Sequence, residues 1–328
     1  MKNSPEKKAP HDHWNHYWTR GNLSSCKGAG ALPLPQPLLD VWHAFFATLP
    51  DGATLLDIGT GNGVVPLIAS TIAEQNQRRF SITATDAAER LQPPDGTGLP
   101  AGFGDVRFLP STPTEALPFD DASFDAVTAQ FAFEYGNPGS SLQQVARVLK
   151  PRGQALFVVH HPESSFATTA RIELEHLAFI QHSALFQRAH DLLDHVIGRD
   201  HGTLAADPRA EALRSAFNRA AAAVNERATH SPAPEILYTA LRYVLDVYRT
   251  HQEEGRERSF RRLSAAWQEL LFARQRLLDQ QHAAVGREEL KRIQRLARLH
   301  GLHLEEQEKL LDERSRILGL RLLFSRTA

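Results

Sequence analysis

The sequence carries a single cysteine, Cys26, among 328 residues. One thiol cannot close an intrachain disulfide or build a cysteine-based metal cluster. Neither sign of charge dominates: 37 Lys and Arg oppose 38 Asp and Glu, for a formal net charge of -1. Nothing global therefore calls for nucleic acid or an acidic membrane surface as partner. No apolar run approaches the length that spans a bilayer. Residues 1–10 are polar and lysine-bearing, with no apolar stretch behind them of the kind a secretory signal needs. A soluble protein in a reducing, cytoplasmic setting is expected, with no membrane attachment. No internal repeat of fixed period is evident. At 42% hydrophobic residues, the chain can bury one large core and a second subdomain.

What is present is an ordered series of elements. Residues 1–12 read as disordered. His13-Trp14-Asn15-His16-Tyr17-Trp18 is an aromatic cluster too dense for a free tail, and a Gly/Pro-rich passage succeeds it over 21–37. Apolar spacing predicts a helix over 38–49. Strand, glycine loop and helix then succeed one another at 54–58, 59–63 and 64–73. Pro66 is tolerated in the first helical turn, where N–H groups have no intrahelical partner. Further strands are predicted at 80–85, 106–109, 124–129 and 154–160, with a helix at 142–149. Strands alternating with helices predict a parallel sheet covered on both faces. Beyond His161-Pro162 the spacing turns helical over 166–285, with breaks near Gly202, Ser231-Pro232 and Gly255. A helix at 287–300 and strands at 302–310 and 318–324 close the chain. The expected division is an arm and cap helix (1–50), an α/β domain (51–165), a helical insertion acting as a lid (166–285) and a closing segment (286–328) that rejoins the sheet. The alternative is a separate helical domain.

The most informative segment is Leu55-Leu56-Asp57-Ile58-Gly59-Thr60-Gly61-Asn62-Gly63. A glycine loop between strand and helix lets backbone approach a ligand closely, because no Cβ intervenes. A dinucleotide loop would place its third glycine at 64, where this chain has Val64. Asp57, inside the strand end, suits a ligand with an ammonium group better than one with a pyrophosphate. Asp86, at the end of the next strand, stands where nucleoside-binding α/β folds put an acid for the ribose hydroxyls.

These residues resemble the class I S-adenosylmethionine-dependent methyltransferase superfamily. The loop is similar to its D-x-G-x-G-x-G pattern. Leu117-Pro118-Phe119 with Ser123-Phe124-Asp125-Ala126-Val127 resembles its approach to strand four. Arg147-Val148-Leu149-Lys150-Pro151-Arg152-Gly153 resembles its helix-to-strand-five turn, with Arg152 in place of the first glycine. The resemblance covers residues 50–162 and extends to 287–326. It implies a Rossmann-like seven-stranded sheet, here with a large helical insertion, and S-adenosylmethionine as cofactor. It places Asp57 and Gly59 at the methionine part, Asp86 at the ribose and Ala87 near the adenine, with Thr60 and Gly61 also in the cofactor site. Gln130 would lie near the methionine carboxylate. Pro113 stands where the family carries an adenine-contacting aspartate, so Thr114 or a backbone carbonyl is the candidate substitute.

The acceptor side leaves less trace, because methyl transfer asks mainly for alignment and at most for removal of a proton. His160 and His161, past strand five, are candidates for a general base, or else loop histidines that cap Pro162 and the next helix. Glu134 and Tyr135 are candidates for substrate contact, or else ordinary packing at a helix start. Trp14, Tyr17 and Trp18 can fold over the cofactor mouth, or pack in the core. His11, His13 and His16 match no standard ligand spacing, and no metal is expected. The segment after strand four, Gln130-Phe131-Ala132-Phe133-Glu134-Tyr135, lacks the N/D-P-P-Y/F signature of exocyclic base-amine methylation. A lone N-terminal cysteine argues against cysteine-adduct chemistry on a pyrimidine carbon. The expected activity is methyl transfer to a small-molecule oxygen or nitrogen. The alternatives are an RNA or protein methyltransferase using the basic 256–298 stretch, whose spacing also suits a solvated helix face, or a cofactor-binding partner without catalysis.

Overall fold

The computed structural model describes residues 12–25, 34–95, 99–100, 102–199 and 201–327. The expectation of disorder for residues 1–11, His11, Cys26 and most of the Gly/Pro-rich passage lie outside the described residues. Elements run α1 (Asp12–Trp18), α2 (Gln36–Thr48), β1 (Thr54–Ile58), α3 (Val64–Gln75), β2 (Ser81–Thr85), β3 (Arg107–Leu109), β4 (Phe124–Gln130), α4 (Pro138–Val148) and β5 (Leu149–Val159). The helices α5 (Ser165–Ser183), α6 (Leu185–Val196), α7 (His201–Ala205), α8 (Pro208–Thr229) and α9 (Glu235–Ala283) come next. Then come α10 (Arg287–Leu299), β6 (Leu302–Leu311) and β7 (Ile317–Arg326).

The seven strands form one sheet in the order β3-β2-β1-β4-β5-β7-β6. β1 to β5 pair in parallel, as the alternation predicts, but β7 is antiparallel to both neighbours. β6 and β7 are separated only by the turn around Asp312 and Arg316, too short for the crossover that a parallel pair requires. The buried run of β4, from Ala126 to Ala129, is apolar apart from Thr128, and that of β5, from Ala155 to Val159, is apolar throughout, because helices cover both faces. One face buries Leu38, Trp42, Phe46 and Ile68 of α2 and α3; the other buries Leu142, Val145, Ile293 and Ala297 of α4 and α10.

One element boundary shifts. β5 begins at Leu149, five residues before the predicted strand, because 149–153 continue the ladder across an irregularity, with Arg152 at φ 65°. The break expected near Gly202 falls between the end of α6 at Val196 and the start of α8 at Pro208, with only the short α7 between them. Gly255 does interrupt α9, at φ 74°.

The chain divides into two compact units, Met1–Ala167 with His282–Ala328, and Thr168–Gln281. The second has its own apolar core, including Ile180, Leu185, Leu193, Val224, Leu237 and Leu270. Inside it, buried His195 places Nε2 2.6 Å from Oδ2 of Asp207, whose other oxygen caps α8 by accepting the N–H groups of Arg209 and Ala210. Among the described residues, no helix is long and apolar enough to cross a membrane.

Candidate active site

Parallel strands present their carboxyl ends together, and β1, β2 and β4 do so around a cavity of about 230 Å³ in the first unit. Of the cofactor residues proposed from sequence, Gly59, Thr60, Asp86, Ala87, Thr114 and Gln130 line it, together with Pro113 and Glu115. Asp57 and Gly61 are not among the lining residues.

Asp57 instead sits beneath the loop, 3% exposed, accepting a 2.7 Å hydrogen bond from the Thr128 hydroxyl. Burial pushes its carboxyl up to about 7, against the pull of that hydroxyl. Asp86 comes directly after β2. Its Oδ2 accepts the Gly61 N–H at 2.7 Å and its Oδ1 the Ala88 N–H at 2.8 Å. It therefore braces the glycine loop as well as facing the cavity. Gln130 ends β4, and its Oε1 accepts the Trp42 indole N–H at 2.7 Å. That bond fixes the orientation of the amide and leaves its N–H donors for a ligand.

Why two loop positions are glycine is now specific. Gly59 has φ 61°, and a Cβ there would run into the Ala132 methyl. Gly61 has φ 54°, and a Cβ would fall 2.5 Å from the Trp18 indole. The space above Gly61 thus holds a side chain of the protein's own N-terminal helix.

That helix, α1, is fastened over the cavity. Asn62 is fully buried. Its Nδ2 donates to the carbonyls of Trp18 and Asn22, both at 2.8 Å, and its Oδ1 accepts the Gln92 N–H at 2.6 Å. Asn15 accepts the Glu89 N–H at 2.7 Å. Trp14 stacks on Trp18 (centroids 5.9 Å, 19°) and meets Tyr135 edge-on at 5.8 Å. Trp14, Trp18 and Tyr135 all line the cavity; Tyr17 donates its hydroxyl to the Ser24 carbonyl. The Asn62 tie spans more than forty residues and is not visible in local pattern.

The remaining acceptor-side residues lie behind this wall. Glu134 is buried; its Oε1 accepts the His160 backbone N–H at 2.7 Å and its Oε2 has no protein partner. Burial raises its carboxyl to about 8. His160 stacks on Phe131 with centroids 4.3 Å apart. Burial depresses its imidazole to about 3, so the ring is neutral at pH 7. His161 accepts the Glu163 N–H on Nδ1 at 3.1 Å, the local cap that its position before Pro162 allows. Of the four catalytic candidates, only Tyr135 lines the cavity. Among the described residues, no group of three or more His, Cys, Asp or Glu could hold a metal ion.

Glu134 makes stability depend on pH. Its folded pKa lies above the ordinary value of 4.5. The stability linked to it is therefore complete below pH 4.5 and is lost as pH rises towards 8. Gln keeps the Oε1 acceptor and cannot ionise. Glu134→Gln should match the wild type in urea unfolding at pH 5 and exceed it by about 4 kcal/mol at pH 8. A difference between the two proteins that stays constant from pH 5 to 8 would refute the buried neutral acid.

Residues 56–157 match the family described as "Methyltransferase domain". The chain is 34% identical over 108 residues to the uncharacterized methyltransferase YcgJ of Bacillus subtilis, covering 33% of this chain and 40% of that protein. It is 32% identical over 111 residues to the ubiquinone/menaquinone biosynthesis C-methyltransferase UbiE of Geobacter sulfurreducens, covering 33% and 42%. The chain thus spans about two fifths of the length of these curated relatives. A solved structure, the 1,6-didemethyltoxoflavin-N1-methyltransferase of Burkholderia thailandensis, aligns over 89% of this chain and 78% of its own, at a TM-score of 0.40 and 14% identity. The segment 56–157, with the glycine loop and the strands that carry Asp57, Asp86 and Gln130, is a methyltransferase domain of the class I S-adenosylmethionine-dependent superfamily.

Proposed function

We propose that the protein transfers a methyl group from S-adenosylmethionine to the oxygen or nitrogen of a small molecule, in the cytoplasm. The observation that carries this reading is the convergence of Gly59, Asp86 and Gln130 on one cavity at the carboxyl edge of the sheet. In this reading the Asp86 carboxylate, anchored by two backbone N–H groups, also accepts the ribose hydroxyls. Ala87, Pro113 and Thr114 border the adenine. The N–H donors of Gln130 face the methionine carboxylate. Asp57 contributes from below the loop: a ligand ammonium nearby favours its ionised form. The cofactor supplies an electrophilic methyl; the chain orients it and keeps water out.

Binding of RNA through the basic stretch finds less support. Arg256 pairs with Asp194, Arg258 and Arg262 with Glu254, Arg261 with Glu257, Lys291 with Glu288, and Arg292 with Glu289. Cations already matched to carboxylates project little field towards phosphate. The departure at Arg152 bears little on the cofactor, because it lies near the amino end of β5, away from the ligand edge.

The lid is part of the same proposal. The helices leave the sheet directly after the carboxyl end of β5. The chain returns at Val285, whose N–H bonds the His160 carbonyl at 2.7 Å and pins the root of the insertion beside the site. An insertion rooted there is suited to excluding water and selecting the acceptor.

Two outcomes test the reading. Asp86→Ala should weaken S-adenosylhomocysteine binding by about 1–3 kcal/mol in calorimetry, the scale of a lost charged acceptor; unchanged affinity would remove Asp86 from the site. Hydrogen exchange within 168–281 should slow when cofactor and acceptor are both bound. Equal exchange in both states would leave an appended helical domain in place of a lid.

A further inference from the structure

We propose that the methyl acceptor is an uncharged aromatic ring bearing a hydroxyl or amine, held against the wall formed by Trp14, Phe131 and Tyr135; this rests on the methyltransferase reading and cofactor orientation above. With the methionine end at Gly59 and Gln130, the transferable methyl faces the segment just after Gln130. There the cavity is walled by rings.

The wall is built rather than incidental. Phe131 takes a left-handed backbone, φ 50°, which a side chain of this size keeps only where its surroundings enforce it. Its N–H is held by the Val158 carbonyl at 2.7 Å. Its ring lies flat on His160 and edge-on to Phe166 at 5.6 Å. Gly319 of β7 leaves room for it: a Cβ there would fall 3.0 Å from Phe131 Cε1. Tyr135 is fixed between Trp14 on one side and His160, edge-on at 6.0 Å, on the other. Immobilised rings offer a planar partner stacking area without an entropy cost at binding.

Charge narrows the class. Among the described residues lining the cavity, the charged side chains are the carboxylates of Asp86 and Glu115, and none is Lys or Arg. His160, behind Phe131, is neutral and supplies no cation. An acceptor bearing a carboxylate or phosphate would find no cationic side chain in the protein's lining and two carboxylates of like charge. In the transfer, a lone pair on the acceptor oxygen or nitrogen bonds the methyl carbon as the carbon–sulfur bond breaks. That bonding pair stays on sulfur, giving S-adenosylhomocysteine, and the acceptor proton leaves to water.

The test uses the full chain and S-adenosylmethionine with a radiolabelled methyl. The uncharged probes are 1-naphthol and 8-aminoquinoline; their carboxylated counterparts are 1-hydroxy-2-naphthoate and 8-aminoquinoline-2-carboxylate. The uncharged pair should show kcat/KM higher by about tenfold or more. Tyr135→Leu should raise their KM by about tenfold, the scale of a lost ring contact, with S-adenosylhomocysteine affinity in calorimetry within about twofold of wild type. Equal turnover of the carboxylated probes, or no binding or turnover of any aromatic probe by a protein that binds S-adenosylhomocysteine, would overturn the proposal. A wild-type protein that fails to bind S-adenosylhomocysteine would instead remove the methyltransferase reading beneath it.

Discussion

The site depends on one buried amide. Asn62, between the second and third glycines of the loop, spends all three of its hydrogen bonds on backbone groups of two other segments. A side chain with no solvent exposure cannot leave these bonds unmade without the full cost of burying bare polar groups. The loop, the turn at the end of α1, and the segment after β2 are therefore positioned together. Trp18 comes to rest on Gly61 as a consequence, and Trp14 reaches Tyr135 on the far side of the cavity. A residue that reads as the variable position of a motif is the fastening of the site's cover.

A second constraint is electrostatic. Three ionisable groups near the carboxyl edge are buried deeply enough that neutrality competes with charge: Asp57 rises to about 7, Glu134 to about 8, and His160 falls to about 3. The edge that receives a cationic cofactor thus carries little fixed charge of its own beyond Asp86 and Glu115. A bound ammonium and sulfonium would tip Asp57 towards its ionised form. Neutral His160 in turn makes a flat, uncharged backing for Phe131. The burial that rules the histidine out as a cation is what lets it serve as a wall.

The parts of this arrangement that were legible in the sequence are those set by local rules. Gly59, Gly61 and Gly63 announce a strand-to-helix turn, and Asp86 ends its strand at the expected place, because close backbone approach and strand-end position both leave short-range marks. The strands that sit under helices on both faces show as apolar runs for the same reason. What stayed hidden is long-range. The occupant above Gly61 is an indole more than forty residues earlier. The antiparallel setting of β7 comes from its short connection to β6 and its pairing with β5, neither of which hydrophobic period encodes. The early start of β5 depends on Arg152 adopting a left-handed backbone where the family has glycine, so propensity argued against it. Phe131 and Gly319 matter only as a pair, and nothing in either segment alone marks them.

If the arm held by Asn62 closes the cofactor cavity, that tie governs how fast a bound cofactor leaves. The dissociation rate of S-adenosylhomocysteine from wild type and Asn62→Ala, by stopped-flow tryptophan fluorescence, tests it most directly. Loss of the tie should speed dissociation by about tenfold or more, while circular dichroism shows the α/β secondary structure intact. An unchanged rate in a folded Asn62→Ala protein would mean that the arm rests on the site without governing it.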